Sequence, residues 1–199
     1  MPKRFFDVLL AGLGLLVLGP LFAAIALWIK LDSHGPVFFR QERVGRYGVP
    51  FRIHKFRTMA HDAPASGPQI TVGADARITR AGAWLRRTKL DELPQLIDVL
   101  GGAMSIVGPR PEVPRYVAMY PADLRDKVLS VRPGITDFAS IHYRDESALL
   151  ARAADPEREY TEVVMPAKLR LAAQYVDQAT LATDLRLIGR TLKALLGHG

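Results

Sequence analysis

From Val8 to Ile29 the chain reads VLLAGLGLLVLGPLFAAIALWI, a run without a single charged residue. Such a run fits a membrane segment. A secretory signal is the simplest competing reading, but its apolar core spans only about 7–15 residues before a small-residue cleavage site. Here the run continues through Trp28 to Lys30, which argues against cleavage. At about 1.5 Å per residue a straight helix of this length reaches roughly 33 Å, enough to cross a bilayer. Two features favour a re-entrant helix instead. Gly19 and Pro20 sit mid-run, where proline removes a backbone donor and kinks the helix. Basic residues flank both ends, Lys3 and Arg4 before the run and Lys30, Arg40, Arg43 and Arg46 after it, so the positive-inside tendency holds both ends in the cytoplasm. Gly19 and Pro20 are thus the candidate membrane hinge, with residues 1–30 forming a re-entrant membrane helix and 31–199 a cytosolic domain.

Beyond the apolar run the pattern shortens. Val37–Gln41 and Pro50–Phe56 read as strands around a turn containing Gly45 and Gly48, a hairpin. The stretch AHDAPASGPQITVGADARI, with Pro64, Gly67, Pro68 and Gly73, reads as a loop. Thr79–Lys89 fits a helix with a basic edge, and a second helix is expected to begin at Asp91, bury Leu93, Leu96, Ile97 and Leu100, and end at Gly101-Gly102. Pro109, Pro111 and Pro114 hold an extended segment, followed by a short helix near Ala122–Val128 and a turn, RPGIT, at 132–136. From about Pro166 one long amphipathic helix is predicted to reach Leu196. Its stripe of Leu181, Leu185, Ile188, Leu192 and Leu195 opposes Arg186, Arg190 and Lys193. Core packing of that stripe is favoured over a membrane-surface helix. The fold class is α+β: a small, mostly helical cytosolic domain with a short β-hairpin, anchored by the N-terminal re-entrant helix and closed by the C-terminal one.

Charge narrows the partners. The net charge of +7 favours an anionic ligand or surface. Nucleic acid fits poorly, because the basic residues are not interleaved with stacking aromatics, which make up only 8% of the chain. The absence of cysteine excludes disulfides and thiolate metal sites.

The residues suited to chemistry lie close together in sequence. Asp91 has the residue type and position of a helix N-cap, with Pro94 suited to the first turn. A cap needs one acid, however, and Glu92 supplies a second directly after a basic helix edge. Two carboxylates at a helix N-terminus amid arginines can hold a divalent cation and a pyrophosphate together. Arg110, between Pro109 and Pro111, has little backbone freedom and presents its guanidinium at low ordering cost, either as an incidental surface turn or as a bidentate phosphate ligand. Strand alternation puts Lys55 and Arg57 on one face, either as a solvated edge or as a pair with an anion between them.

These marks together resemble the monotopic phosphoglycosyl transferases, bacterial enzymes that start lipopolysaccharide, capsule and glycoprotein glycans. The resemblance is carried by KRFFD at 3–7, the Gly19-Pro20 break, KFRTM at 55–59, LRRTKLDELPQLIDVLGGAMSIVGPRPE at 85–112 and RPGIT at 132–136. It covers nearly the whole chain, and the central block is the most specific part. It implies transfer of a sugar 1-phosphate from a UDP-sugar to a polyprenyl phosphate such as undecaprenyl phosphate, with release of UMP and Mg²⁺ as cofactor, on the cytoplasmic face of the bacterial inner membrane. Asp91 matches the family's nucleophile and Glu92 its acidic partner near the metal. Lys55, Arg86 and Arg110 match basic residues of the site, with Arg57, Pro109, Pro111 and Arg132 as further substrate-binding candidates. Two departures stand out. After RPGIT many members continue Gly-Trp-x-Gln-Val, where this chain reads DFASIHYRDE. Many also carry an aspartate at the position of Ala172, for which Asp145, Glu146 or Glu162 are the substitutes at hand. The rival reading is a non-enzymatic membrane-tethered module that binds anionic lipid or nucleotide through its basic patch.

Overall fold

The computed structural model describes residues 2–61 and 75–197; most of the loop expected after Ala60 lies outside them. Helix α1 (Pro2–Asp32) is followed by strands β1 (Phe38–Val44) and β2 (Pro50–Phe56), then α2 (Arg80–Thr88) and α3 (Gln95–Leu100). Next come β3 (Ser105–Val107), α4 (Pro114–Val117), α5 (Ala122–Leu129), β4 (Gly134–Thr136), α6 (Phe138–His142), α7 (Glu146–Leu150) and α8 (Pro156–Glu159). A π-turn at Tyr160–Val164 leads into α9 (Met165–Gln178) and α10 (Leu181–Leu196). The mostly helical architecture with an antiparallel hairpin agrees with the sequence pattern, and β1 and β2 pair from Phe38↔Phe56 to Val44↔Pro50.

Helix α1 is continuous, with Pro20 inside it. Pro20 lies on the outward side, and the inward side packs both before and after it. Asp7, Ala11, Ile25 and Ile29 are buried, and Leu18 and Phe22 pack against the core between them. This spacing of three and four is one helical face. The opposite face remains apolar yet exposed, with Phe5, Leu9, Leu13, Leu16, Leu27 and Leu31 among its residues.

Polar anchors fix both ends of α1 to the same domain. Lys3 Nζ donates to Asp184 (2.5 Å) and to Val107 O (3.0 Å), while Arg4 donates to Val99 O (2.6 Å) and Leu100 O (3.0 Å). The buried Asp7 accepts from Ser105 Oγ (2.8 Å) and Ile106 N (3.1 Å). At the far end, Asp32 accepts from Ala81 N (2.9 Å), satisfying a first-turn amide of α2. Ala11 shares one apolar cluster with Ile53, Leu96, Val99, Met104 and Leu187, so α1 contributes to the core.

The structure corrects several sequence expectations. RPGIT is more than a turn: β4 pairs in parallel with β3, Ser105 opposite Gly134 and Val107 opposite Thr136. The two backbones approach so closely that a Cβ on Gly134 would lie 2.0 Å from Gly108 N, which requires glycine. The long C-terminal helix is two helices, because Ala179 turns extended and Thr180 caps α10 by accepting from Thr183 N (3.1 Å).

Of the predicted stripe of α10 only Ile188 packs against the core. Leu181, Leu185, Leu192 and Leu195 are exposed, while Thr183, Asp184 and Leu187 are buried. Hydrogen bonds decide this rotation. Tyr175 Oη donates to Asp184 (2.7 Å), Lys3 pairs with the same carboxylate, and the hydroxyls of Thr136 and Thr191 bond at 2.7 Å, so the polar flank turns inward with its partners satisfied.

Candidate active site

Helix α2 begins at Thr79, whose hydroxyl accepts from Gly82 N (3.0 Å), and ends at Lys89 in the left-handed conformation (φ 59°). A non-glycine residue rarely adopts this geometry. It reverses the chain into a single 3₁₀ turn, Leu90–Glu92, before α3 starts at Gln95. Asp91 is therefore not the cap of the following helix. Pro94 occupies that position and makes no side-chain cap bond. Freed from capping, the Asp91 carboxyl is 8% exposed, and its Oδ1 has no hydrogen-bond partner.

Glu92 points into a ring of cations. Its Oε1 accepts from Lys55 Nζ (2.8 Å), and the Arg110 guanidinium grips both oxygens, with Nη1 donating to Oε2 at 2.7 Å and Nη2 to Oε1. Arg86 donates through Nε to Thr58 Oγ1 (2.9 Å), and its charge favours ionised Asp91. Lys55 comes from the end of β2, Arg86 from α2, and Arg110 from the loop after β3. Of the predicted site residues, the fold thus brings Asp91, Glu92, Lys55, Arg86 and Arg110 together.

The others have different partners. The Arg57 backbone amide continues the ladder to Val37 O (2.9 Å), and its guanidinium donates to the carbonyls of Ser33 (2.8 Å) and His34 at the end of α1. These bonds close the C-terminus of α1. Arg132 Nε donates to Gly102 O (2.8 Å), joining β4's approach to the end of α3. Pro109 and Pro111 serve through their carbonyls, which accept from Gly134 N (2.9 Å) and Arg43 Nη1 (3.1 Å). Gly19 and Pro20 lie in α1, remote in sequence from this cluster. Ala172 packs with Val128, Leu169 and Ala173 in an apolar cluster. Among the acids considered in its place, Glu146 is the one whose charge acts on Arg110, and it also accepts from Lys168 (2.7 Å).

Sequence reasoning missed Asp137, the first residue of the departing segment. It is 1% exposed, caps α6 by accepting from Ser140 N (2.7 Å), and faces Arg110 N at 3.4 Å. Its position beside RPGIT was visible; its contact with Arg110 depends on the β3–β4 pairing. Lys89 was read only as part of a basic edge, although its charge also reaches Asp91.

The two acids differ in their ionisation. Burial raises the Asp91 carboxyl above its ordinary range, and Glu92 adds to that, outweighing Lys55 and Arg86. At Glu92 burial acts in the same direction, but Arg110 and Lys55 outweigh it and hold the carboxyl well below the usual value. Burial lowers Lys55 against the pull of Glu92, whereas Glu92 raises Arg110. Of the two acids Asp91 is the one whose carboxyl is raised, so a reaction that needs its carboxylate is expected to slow as pH falls through that raised pKa. The acid limb of kcat/KM is expected above the ordinary aspartate value of about 3.9. A flat profile down to that value would show that Asp91 ionisation does not limit the reaction.

Among the described residues no three His, Asp or Glu side chains converge as a metal cluster. Both oxygens of Glu92 are engaged, so Asp91 Oδ1 is the orphan carboxylate oxygen of the site. That donor set fits Mg²⁺ in its common form, bound by one or two carboxylates and completed by water and substrate phosphate. Four cations, Lys55, Arg86, Lys89 and Arg110, surround the two acids, an arrangement suited to a multiply charged anion.

The profile of the bacterial sugar transferase family matches residues 1–198. The chain is 39% identical over 98% of its length to a UDP-glucose:undecaprenyl-phosphate glucose-1-phosphate transferase of Xanthomonas campestris pv. campestris, covering 39% of that protein. It is 35% identical over 98% of its length to a UDP-N-acetylgalactosamine-undecaprenyl-phosphate N-acetylgalactosaminephosphotransferase of Aeromonas hydrophila, covering 43% of that protein. An exopolysaccharide production protein of Rhizobium leguminosarum bv. phaseoli is 38% identical over 99% of the chain and is itself covered over 96%. The chain spans about two fifths of the length of the first two relatives. With the match extending from α1 through the Asp91–Glu92 elbow and Arg110 to α10, the chain belongs to the bacterial sugar transferase family.

Proposed function

We propose that this protein transfers a sugar 1-phosphate from a UDP-sugar to a polyprenyl phosphate, in the manner that the names of its relatives describe, through a covalent intermediate on Asp91. The observation that carries this reading is the buried Asp91 carboxylate oxygen left without a partner while the charges of Lys55, Arg86 and Lys89 act on the group. A structural cap would have its oxygens bonded; a nucleophile needs one free.

In the first step an Asp91 oxygen attacks the phosphorus that bears the sugar. A P–O bond forms, the bond to the bridging oxygen breaks, and UMP leaves with the electron pair. In the second, an oxygen of the polyprenyl phosphate attacks the same phosphorus, restoring the Asp91 carboxylate and giving polyprenyl-diphosphate-sugar. Arg110, Lys55 and Arg86 balance the charge on the diphosphate and the departing UMP. Mg²⁺, when bound at Asp91 together with donor phosphate oxygens, would supply further charge neutralisation. Glu92 engages the Arg110 fork and Lys55, the same donors that suit the oxygens of a phosphate.

The reading of its location rests on α1. It is long and apolar enough to cross a membrane, yet both of its ends are bonded to one domain and its inward face is packed along its length. With both ends bonded to the same domain, a bilayer against the outward face leaves both ends on one side, in keeping with the reading that both stay cytoplasmic. The exposed leucines of α10, whose first turn meets Lys3 of α1, add apolar surface to the same molecule. A cysteine replacing the exposed Pro2 is expected to resist impermeant thiol reagents in intact cells and to react after lysis. Labelling from outside would favour a spanning helix. The reaction is tested by incubation with UDP-sugars and Mg²⁺ without acceptor. Release of UMP up to one equivalent supports the covalent route, and release only when polyprenyl phosphate is present opposes it.

A further inference from the structure

Two prolines restrict the torsions of Arg110 but do not fix where its loop lies. Backbone bonds place it from two sides. Gly134 N donates to Pro109 O (2.9 Å) and Gly108 N to Thr136 O (3.0 Å) on one side; Val44 N donates to Glu112 O (2.9 Å) on the other. Side chains then close the second side. Arg43 Nη1 donates to Pro111 O (3.1 Å) and Glu112 Oε1 (3.0 Å), Glu112 Oε1 also accepts from Val113 N (2.8 Å), and the Tyr160 hydroxyl donates to Glu112 Oε2. Arg43 Nη2 is held in turn by Gln41 Oε1 (2.7 Å).

We infer that Arg43, Glu112 and Tyr160 are positioning residues for the Arg110 guanidinium, joining the hairpin and the turn before α9 to the loop that carries it. The inference rests on the transfer reading above. The peptide link between Glu112, Pro111 and Arg110 ties this set to the loop that carries the fork, and the Arg43 charge also acts on Lys55, Glu92 and Arg110. The set keeps one charge state near neutrality. Burial disfavours the Glu112 charge, but Arg43 and Lys168 together with the bonds from Tyr160 and Val113 N hold its carboxyl below the usual range. Burial and the Glu112 charge push the Tyr160 hydroxyl upward, so it remains a donor. Lys168 lies over the Tyr160 ring (5.2 Å) and pairs with Glu146, which links α7 and α9 to the same buttress. Removing one member leaves a buried partner unpaired and lets the loop shift. Phosphoryl transfer depends on positioning, so a small displacement is costly.

A purely structural role is separated from a positioning role by its dependence on Arg110. Glu112→Gln and Tyr160→Phe are each made in the wild-type and in the Arg110→Lys background, reading steady-state UMP release and thermal unfolding. In the wild-type background kcat/KM is expected to fall roughly tenfold for Glu112→Gln, mostly in kcat. In the Arg110→Lys background the further fall is expected to be under about twofold, because the fork being positioned is already gone. Equal falls in both backgrounds overturn the inference. Should Glu112→Gln fail to fold, Tyr160→Phe, which removes one hydroxyl, decides the same comparison. If Arg110→Lys alone turns over like wild type, the role of Arg110 itself fails, a result distinct from additive losses.

Discussion

Asp91→Asn is expected to abolish both the release of UMP without acceptor and the appearance of a sugar-phosphate adduct on the peptide containing Asp91. The amide keeps the volume of the side chain but is a poor nucleophile, and its neighbour Glu92 has both oxygens gripped by Lys55 and Arg110. A loss of at least about a thousandfold, or roughly 4 kcal/mol in activation free energy, is the expected scale. Glu92→Gln should slow adduct formation without abolishing it, because its role is to organise the two cations. Two displacements through one carboxylate predict ping-pong kinetics. Intersecting double-reciprocal lines with no adduct under rapid quench would sink the covalent route and leave Asp91 with a metal-holding role.

Arg110→Lys is expected to lower kcat/KM by about tenfold or more, at least roughly 1.4 kcal/mol, although charge is conserved. The guanidinium meets Glu92 as a two-pronged fork, and the same fork fits two oxygens of a phosphate. A lysine ammonium is a point charge on a flexible stem and reproduces one contact at a time. If the bidentate contact tightens in the transition state, the loss falls on kcat more than on KM. Unchanged kinetics would reduce Arg110 to a partner of Glu92 alone.

The hairpin, α2 and the start of α5 were legible because each depends on local pattern: strand alternation around Gly45 and Gly48, the Thr79 cap, and helical spacing. The cationic residues Lys55, Arg86 and Arg110 were legible only as a matched set of motifs, since they come from three elements. Arg57 shows the limit of alternation. One residue beyond the strand, its guanidinium is claimed by the carbonyls that end α1. The stripe on α10 shows the limit of apolar periodicity. Its leucines are regularly spaced, yet buried bonds from Tyr175 and Lys3 to Asp184 set the rotation of the helix.

The sequence by itself determined the apolar character of α1, the adjacency of Asp91 and Glu92, and the restricted backbone of Arg110, since each depends on composition or on torsions of neighbouring residues. Tertiary structure alone decided which acid is free. Both carboxylates have the same chemistry, and only the meeting of β2, the α2–α3 elbow and the loop after β3 gives Glu92 two cations while leaving Asp91 Oδ1 buried without a partner. It also decided that α1 lies against the domain at both ends, because the partners of Lys3, Arg4 and Asp32 are distant in sequence and no local rule brings them together.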